Sequence, residues 1–239
     1  NIKMLSESEI INSKKFNLIN YKRLINKLKK LNYKFVNFKH FKSSKCIILR
    51  HDVDFSMEYA RKIAEVDKKL NVKSHFFFLY DSIFYNLLSS ENIKHIKFIK
   101  NLGHSIGIHV NAEKNSTLIN NEIKYILKFM LSQKCMIDNI FTIHKYGSNK
   151  KKLKIKNFKN FYSRPYSYIY YADSGGSFRF GSPFTNTKIT NQKKSFQLNL
   201  HPIWWISKSS KQLKIKSIKN NLFEKINTEL KTYKLLKND

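Results

Sequence analysis

The sequence predicts an α/β fold in which parallel strands alternate with helices, and three observations indicate it. Short apolar runs without helical spacing, such as 46–49, are typical of strands that are covered on both faces. Stretches with apolar residues at helical spacing lie between these runs. From residue 46 to residue 109 the order is strand, helix, strand, helix, strand, which requires parallel strands joined by right-handed crossovers. The length of 239 residues fits one such domain better than two small ones.

The first half of the chain predicts a covering helix followed by strand and helix pairs. Residues 17–31 place Leu, Ile and Tyr on one stripe and Lys and Asn opposite, so they predict a helix that packs on the sheet. Residues 33–38 alternate polar and apolar side chains, as a half-buried strand does. Ser56 can cap the helix that continues to about residue 70. The Phe-rich run 73–80 then predicts a further strand.

The second half follows from the same two periodicities. Residues 161–184 are rich in Tyr, Ser, Gly and Pro, which predicts a long loop, and long loops inside compact domains are usually functional. The elements predicted around that loop are helices at 90–102, 117–133 and 213–230, and strands that end at His109, His144 and His201.

Composition restricts the function classes. The chain is 41% hydrophobic and 14% aromatic, which is enough for a sizeable core. Lys and Arg number 46 against 16 Asp and Glu, a net charge of +30 that would suit a nucleic-acid-binding protein. The excess is mostly Lys spread along every segment, without clustered Arg, so a solvated Lys surface is favoured over a nucleic-acid face. Weak attraction to an anionic membrane surface remains compatible with it.

Cysteine use and hydropathy suggest a location. Cys46 and Cys135 lie among apolar residues, without a second Cys at metal-ligand spacing, and are typical of buried thiols in a reducing compartment. No apolar run approaches about 18 residues, and the sequence opens without a hydrophobic signal region. We therefore expect a cytoplasmic protein, and the sequence leaves its oligomeric state open.

Two carboxylates end the apolar run 46–54. Asp52 and Asp54 are two residues apart, so in a strand both point to the same side, at the end where parallel α/β folds place their chemistry. Two carboxylates this close repel each other unless a cation or a shared proton neutralises one of them, and a metal ion is the simplest answer. The alternative is that one Asp only caps the following helix.

A second strand ends in a similar way, on His109 with Glu113 a few residues later. Together, Leu49-Arg-His-Asp-Val-Asp54 and Gly103-His-Ser-Ile-Gly-Ile-His109 resemble the polysaccharide deacetylase family of carbohydrate esterases. Looser likenesses follow in Ile143-His-Lys-Tyr-Gly147, Tyr171-Ala-Asp-Ser-Gly-Gly176 and Leu198-Asn-Leu-His-Pro202. The resemblance implies a distorted (β/α) barrel of the polysaccharide deacetylase type. It implies one domain over 1–239, with a catalytic core at about 46–205.

The resemblance also implies a reaction, the metal-dependent removal of an N-acyl group, here acetyl, from a sugar in surface polysaccharide biosynthesis. It implies Asp52 as the base and His201 as the general acid, with Asp173 holding the acid or the base in position. The main-chain N–H of Tyr146 would stabilise the oxyanion. The substrate would be an N-acylated sugar, a sugar nucleotide or a lipid-linked glycan.

A divalent ion is implied, zinc first, with iron, cobalt, nickel and manganese as alternatives. Asp54 and His109 would bind it, although a buried structural role for His109 is the simpler alternative. The family's second His is replaced by Glu113, whose carboxylate is also an acceptable ligand. Otherwise Glu113 points to solvent and His144 or Asn111 completes the site. If the metal is lost, the chain is a non-catalytic carbohydrate-binding relative.

The sequence departs from the family at another point. His144-Lys-Tyr-Gly147 stands where the family has Arg-x-Pro-Tyr-Gly, so the residue that orients Asp52 is left open. Arg179 can bind a substrate carboxylate or phosphate, or it is a surface Arg on a loop. Trp204 and Trp205 can stack on a sugar ring, or they belong to the core.

Overall fold

In the computed structural model, eight strands form one sheet within the described residues, which are 16–111, 115–144, 153–163, 169–178, 181–183, 194–206 and 211–232. The strands are β1 (Lys34–Phe35), β2 (Cys46–Val53), β3 (Ser74–Leu79), β4 (Ser105–Asn111), β5 (Ile140–His144), β6 (Lys159–Asn160), β7 (Tyr170–Ala172) and β8 (Phe196–Asn199). Their order is β6-β5-β4-β3-β2-β8-β7, with β1 paired to β2. Each of these ladders is parallel, which confirms the predicted α/β class.

The helices follow the predicted stripes closely. They are α1 (Leu18–Lys30), α2 (Met57–Lys69), α3 (Ser90–Asn101), α4 (Ser116–Ser132), α5 (Pro202–Ile206) and α6 (Lys211–Thr232). The Ser56 side chain accepts a hydrogen bond from the Tyr59 amide, so Ser56 and not Asp54 caps α2. None of the helices within the described ranges combines the length and the apolar character that crossing a membrane requires.

Short elements account for the differences from the prediction. The expected strand 33–38 is only two residues long and leads into a 3₁₀ turn at Phe38–His40. Strand β7 lies inside the expected loop 161–184, and α5 follows β8 without having been predicted. Elements of two to five residues are too short to show a period of 2 or 3.6, so sequence patterns do not reveal them.

The side chains of β2 alternate between two apolar clusters. Ile47 and Leu49 belong to the main core between the sheet and the helices, whereas Ile48 belongs to a smaller cluster. That smaller cluster consists of Phe38, Ile48, Phe77, Ile140 and Phe161. All eight residues of β2 are buried, as predicted for a strand covered on both faces.

The sheet curls around the smaller cluster. Arg50 of β2 lies 4.8 Å from the ring centre of Tyr162 and 5.9 Å from that of Tyr170. Tyr162 follows β6 and Tyr170 belongs to β7, and these strands lie at opposite ends of the sheet. The two ends therefore face each other across the interior. The result is the expected distorted barrel, and within the described residues no ladder joins β6 to β7.

Gly107 allows the interior to be filled. A Cβ atom at this position of β4 would lie 2.5 Å from the Phe77 ring and 2.8 Å from the Ile140 side chain, closer than carbon atoms approach each other. Phe77 therefore occupies the space that a side chain at 107 would need. The barrel is thus packed below its C-terminal end, which is the end that carries the polar residues.

Candidate active site

The C-terminal ends of five strands carry the polar side chains that the sequence singled out. Asp52 lies in β2, His109 in β4, and His144 ends β5. Three more residues follow the end of a strand within two positions, namely Asp54 after β2, Asp173 after β7 and His201 after β8. Because all these strands are parallel, their ends meet at one mouth of the barrel.

Asp54, His109 and His144 form a triangle of potential ligand atoms. Oδ1 of Asp54 lies 3.6 Å from Nε2 of His109 and 3.6 Å from Nδ1 of His144, and the two nitrogens are 3.3 Å apart. Nitrogen and oxygen ligands about 2.0–2.2 Å from a tetrahedral ion are separated by about 3.3–3.6 Å. Oδ1 of Asp54 is also buried without a hydrogen-bond partner. Both observations fit a divalent ion at the centre of this triangle.

His109 is oriented for such a role by its neighbour. Its Nδ1 is hydrogen-bonded to the Thr142 hydroxyl at 2.7 Å, which leaves Nε2 facing the Asp54 and His144 ligand atoms. Burial lowers the pKa of His109, although Asp52 and Asp54 oppose this shift. A neutral imidazole is the form that binds metal ions.

Asp54 keeps its negative charge despite its burial. Burial would raise the pKa of Asp54, but the adjacent His144 ring and the charges of His109 and His201 hold that pKa below its usual value. At 3.6 Å the contact with His144 is longer than a hydrogen bond, so Oδ1 is stabilised by charge rather than by a donor. An ionised carboxylate with a free lone pair suits a cation.

Asp52 has very different surroundings, because Arg50 neutralises it. The buried Arg50 guanidinium donates to both carboxylate oxygens, from Nε at 2.6 Å and from Nη2 at 2.5 Å. Asn199 donates to Oδ2 of Asp52 at 2.9 Å. Burial would raise the pKa of Asp52, but the Arg50 charge holds it well below its usual value. Oδ2 also lies 3.7 Å from Nε2 of His109, so Asp52 borders the ligand triangle without belonging to it.

His201 also borders the triangle, with Nε2 3.9 Å from Oδ2 of Asp54. Asp173 accepts hydrogen bonds from Nδ1 of His201 at 2.6 Å, from the His201 backbone amide and from Trp205 Nε1 at 2.6 Å. Burial would lower the pKa of His201, but the charge and hydrogen bond of Asp173 raise it to about 9. His201 is therefore protonated at neutral pH.

The predicted aromatic sugar contacts require correction. Trp204 is 6% exposed and Trp205 is fully buried, so neither ring offers a face to a ligand. Trp205 instead packs on Phe16 and Tyr21 and donates to Asp173. The core alternative holds for both residues, because the short helix α5 turns their rings inward.

Three of the predicted residues lie outside the described part of the chain, and a fourth lies at the end of β4. Glu113, Tyr146 and Arg179 lie outside the described residues. Asn111 ends β4 and is paired with His144 of β5 in the ladder. The roles assigned to these four residues therefore stay predictions.

Sequence reasoning missed Arg50, Thr142 and Asn199, which contact the predicted residues directly. Each lies two positions before a residue that the sequence did single out. Arg50 precedes Asp52, Thr142 precedes His144, and Asn199 precedes His201. Residues two apart in a strand share a face. Extending each strand-end motif backwards by two positions would have found all three.

The chain is similar to several solved structures. No protein-family model and no curated protein matches the chain. The peptidoglycan deacetylase PdaC from Bacillus subtilis is 14% identical, with a TM-score of 0.46 over 80% of this chain and 96% of that one. A wild-type CE4 family pseudoenzyme from Bacillus anthracis is 17% identical, with a TM-score of 0.45 over 76% of this chain and 62% of that one. The peptidoglycan deacetylase from Bdellovibrio bacteriovorus is 17% identical, with a TM-score of 0.44 over 81% of this chain and 53% of that one.

The chain resembles CE4 family structures. This is the family that the strand-end motifs resemble. The chain spans less than two thirds of the length of the Bacillus anthracis and Bdellovibrio proteins.

Proposed function

We propose that this chain is a metal-dependent deacetylase that removes an N-acyl group, acetyl, from a sugar during synthesis of a surface polysaccharide. The observation that carries the proposal is the buried Oδ1 of Asp54, which lacks a hydrogen-bond partner and lies 3.6 Å from ring nitrogens of His109 and His144. The proposal includes a cytoplasmic location, supported by Cys46 and Cys135, which are buried and unpaired.

Asp54, His109 and His144 would hold the ion. One carboxylate oxygen and two imidazole nitrogens suit zinc, and iron, cobalt, nickel and manganese accept the same donors. When bound, the ion supplies Lewis acidity to the amide carbonyl and to the attacking water. Three protein ligands would leave the ion accessible to the reactants.

Asp52 would accept the proton of the attacking water. The Arg50 guanidinium keeps Asp52 ionised at neutral pH, and its bidentate contact, together with Asn199, fixes the plane of the carboxylate. This support explains how the chain manages without the Arg that the family carries beside its Tyr-Gly pair. Asp52 is a base that is already charged and already oriented.

His201 would donate a proton to the leaving nitrogen as the C–N bond breaks, so that the products are a free amino sugar and a carboxylate. Asp173 accepts from Nδ1 and thereby directs the Nε2 side of the ring towards the cluster. With its pKa raised to about 9, His201 carries the required proton at neutral pH. Asp52 and His201 thus act as base and acid next to the ligand triangle.

Release of acetate from a tetrasaccharide of N-acetylglucosamine tests the proposal. We expect zinc-loaded protein to release acetate and chelator-treated protein to release none. His201→Gln should keep its zinc and lose activity by about 100-fold or more, the scale of a lost general acid. A zinc-loaded parent that binds the tetrasaccharide but releases no acetate would be a carbohydrate-binding protein and not an enzyme.

A further inference from the structure

Helix α6 is held to the rest of the protein by one side near its start. It has 22 residues and is therefore about 33 Å long. The buried Lys214 donates from Nζ to the carbonyl of Phe16 at 3.0 Å and to the carbonyl of Trp204. One turn later, Ile218 packs against the main core. These contacts fix which side of α6 faces inward.

The inward side of α6 carries its acidic residues. Ile218 and Leu222 line a cavity between α6 and the first turns of α2 and α3. Glu224 and Glu229, which are the two acidic residues of α6, line the same cavity. The negative charge of this helix therefore lies on its inward side.

A different side of α6 presents apolar side chains to solvent. Ile215 is 40% exposed, Phe223 65% and Ile226 49%, and Leu230 is partly buried. These four residues are spaced by eight, three and four positions, so they lie along one face of the helix. They do not belong to the cavity lining. We call them the outer stripe.

Lysine residues accompany the outer stripe. Lys219 lies within it, four positions after Ile215 and four before Phe223, and it is exposed. Lys216 is also exposed and follows Ile215 directly. A helix face that combines exposed apolar side chains with lysine is typical of helices that lie in the interface of a membrane.

A second exposed apolar stripe, on α4, differs in charge. Leu118, Tyr125 and Phe129 are exposed and share one face of that helix. Four positions after Leu118 this face carries Glu122, which accepts a hydrogen bond from the Tyr80 hydroxyl at 2.5 Å. The outer stripe has Lys219 four positions after its first member. An anionic surface is therefore complementary to the outer stripe and not to the stripe of α4.

We propose that the outer stripe docks α6 on an anionic lipid bilayer. The helix lies parallel to the surface, with Phe223 and Ile226 below the headgroups and Lys216 and Lys219 at the lipid phosphates. The net charge of +30 attracts the whole chain to such a surface. A bilayer satisfies both the charge and the apolar side chains, whereas the phosphate backbone of a nucleic acid satisfies only the charge. The inference goes beyond the proposed function and does not depend on it.

Sedimentation of the full chain with lipid vesicles tests the apolar part of the surface. Vesicles of phosphatidylcholine that contain about 30% phosphatidylglycerol should bind the parent. Phe223→Ser combined with Ile226→Ser should lower the partition coefficient by about tenfold, because less apolar surface leaves water. Leu118→Ser combined with Tyr125→Ser, a pair of similar exposure on α4, should bind as the parent does.

Neutralisation of lysine tests the charged part. Lys216→Gln combined with Lys219→Gln should weaken binding to the same vesicles by about tenfold, because two contacts with lipid phosphates are lost. Lys124→Gln combined with Lys128→Gln makes the same change in net charge at exposed positions of α4 and should weaken binding by less than about twofold. Vesicles of phosphatidylcholine alone should bind the parent more weakly.

Four results would overturn the inference. The first is a parent that does not bind the anionic vesicles. The second is equal binding by the two Ser variants, and the third is equal binding by the two Gln variants. The fourth is a parent dimer in analytical ultracentrifugation that becomes a monomer in Phe223→Ser combined with Ile226→Ser, with unchanged vesicle binding, because a second copy of the chain would then cover the stripe. All these measurements need neither metal nor sugar, so they leave the deacetylase proposal to its own test.

Discussion

The two ends of the barrel bury polar groups in different ways. At the N-terminal end, the fully buried His75 has both ring nitrogens hydrogen-bonded, Nδ1 to the Leu49 carbonyl at 3.0 Å and Nε2 to the Phe38 amide at 2.9 Å. At the C-terminal end, the buried Oδ1 of Asp54 has no hydrogen-bond partner. An unsatisfied buried acceptor costs about 1–3 kcal/mol, and more when it is charged. The buried ring nitrogens of His75 therefore have hydrogen-bond partners, whereas the buried Oδ1 of Asp54 can still bind a ligand.

The polar layer between these ends contributes both to stability and to the candidate site. Arg50 and Asp52 form a buried ion pair, and Gln197 and the Tyr162 ring complete the surroundings of the guanidinium. Both carboxylate oxygens of Asp52 thus accept hydrogen bonds, whereas Oδ1 of the nearby Asp54 accepts none. The comparison teaches that two carboxylates which look alike in sequence are distinguished by their hydrogen-bond partners.

Arg50→Met should give the largest effect. It leaves the Asp52 carboxylate buried without a counter-charge, so the free energy of unfolding should fall by about 3–5 kcal/mol in urea titrations. The pKa of Asp52 should rise, because the Arg50 charge no longer opposes its burial. The acidic limb of the kcat/KM profile for acetate release should therefore move to higher pH.

Arg50→Lys serves as the control, because it keeps the charge and loses the bidentate geometry. It should retain the position of the acidic limb and lose only part of the stability. If Arg50→Met unfolds at the parent's urea concentration and keeps the parent's pH profile, Arg50 neither neutralises nor orients Asp52.

Lowering the pH should weaken the N-terminal end. Burial lowers the pKa of His75 to about 4, whereas an unfolded His titrates near about 6.5. As pH falls below 6.5, the unfolded chain takes up this proton first, so the stability that is fully present above 6.5 is lost until pH reaches about 4. The loss from this residue should be about 3 kcal/mol.

Urea titrations between pH 7 and pH 4 measure this loss. His75→Phe should be less stable at pH 7, because the Leu49 carbonyl and the Phe38 amide lose their partner, and its stability should depend less on pH. The exposed His40 provides the matched control His40→Phe, which should keep the parent's pH dependence. A His75→Phe curve parallel to that of the parent would show that other groups control the acid sensitivity.

Thr142→Val should have the smallest effect, confined to the C-terminal end. The change preserves the shape of the side chain and removes the hydroxyl that is bonded to Nδ1 of His109. Zinc affinity should fall by about 10–100-fold in competition with a chelator, because the ring loses the partner that orients it. Thr142→Ser should keep the parent's affinity, and equal affinity in all three proteins would mean that His109 needs no support from Thr142.

The sequence predicted the elements that have a clear period and the strand ends that carry charge. The stripe of α1 and the apolar run of β2 were sufficient for those elements, whereas β6 and β7 are too short to show alternation. Spacing along the chain placed Asp52 and Asp54 on one face. It could not choose among Glu113, Asn111 and His144 as the third ligand, because that choice depends on how closely β4 and β5 approach across the ladder.

The support of Asp52 shows the same limit. Arg50 was visible in the sequence two residues before Asp52, but an Arg within an apolar run has no partner assigned by pattern alone. Its partner became evident only when the curl brought β2, β8 and the residues after β6 around one guanidinium. The sequence thus predicts which faces carry polar groups, and the packing decides which of these groups find hydrogen-bond partners.

A joint measurement of metal content and acetate release on Asp52→Asn and Asp54→Asn tests the division of labour between the two carboxylates most directly. Asp54→Asn should lose zinc and activity together, because a neutral amide is a poorer ligand. Asp52→Asn should keep its zinc while acetate release falls by about 100-fold or more, the scale of a lost general base. Equal loss of zinc in both variants, or an Asp52→Asn protein that turns over at the parent rate, would contradict the account.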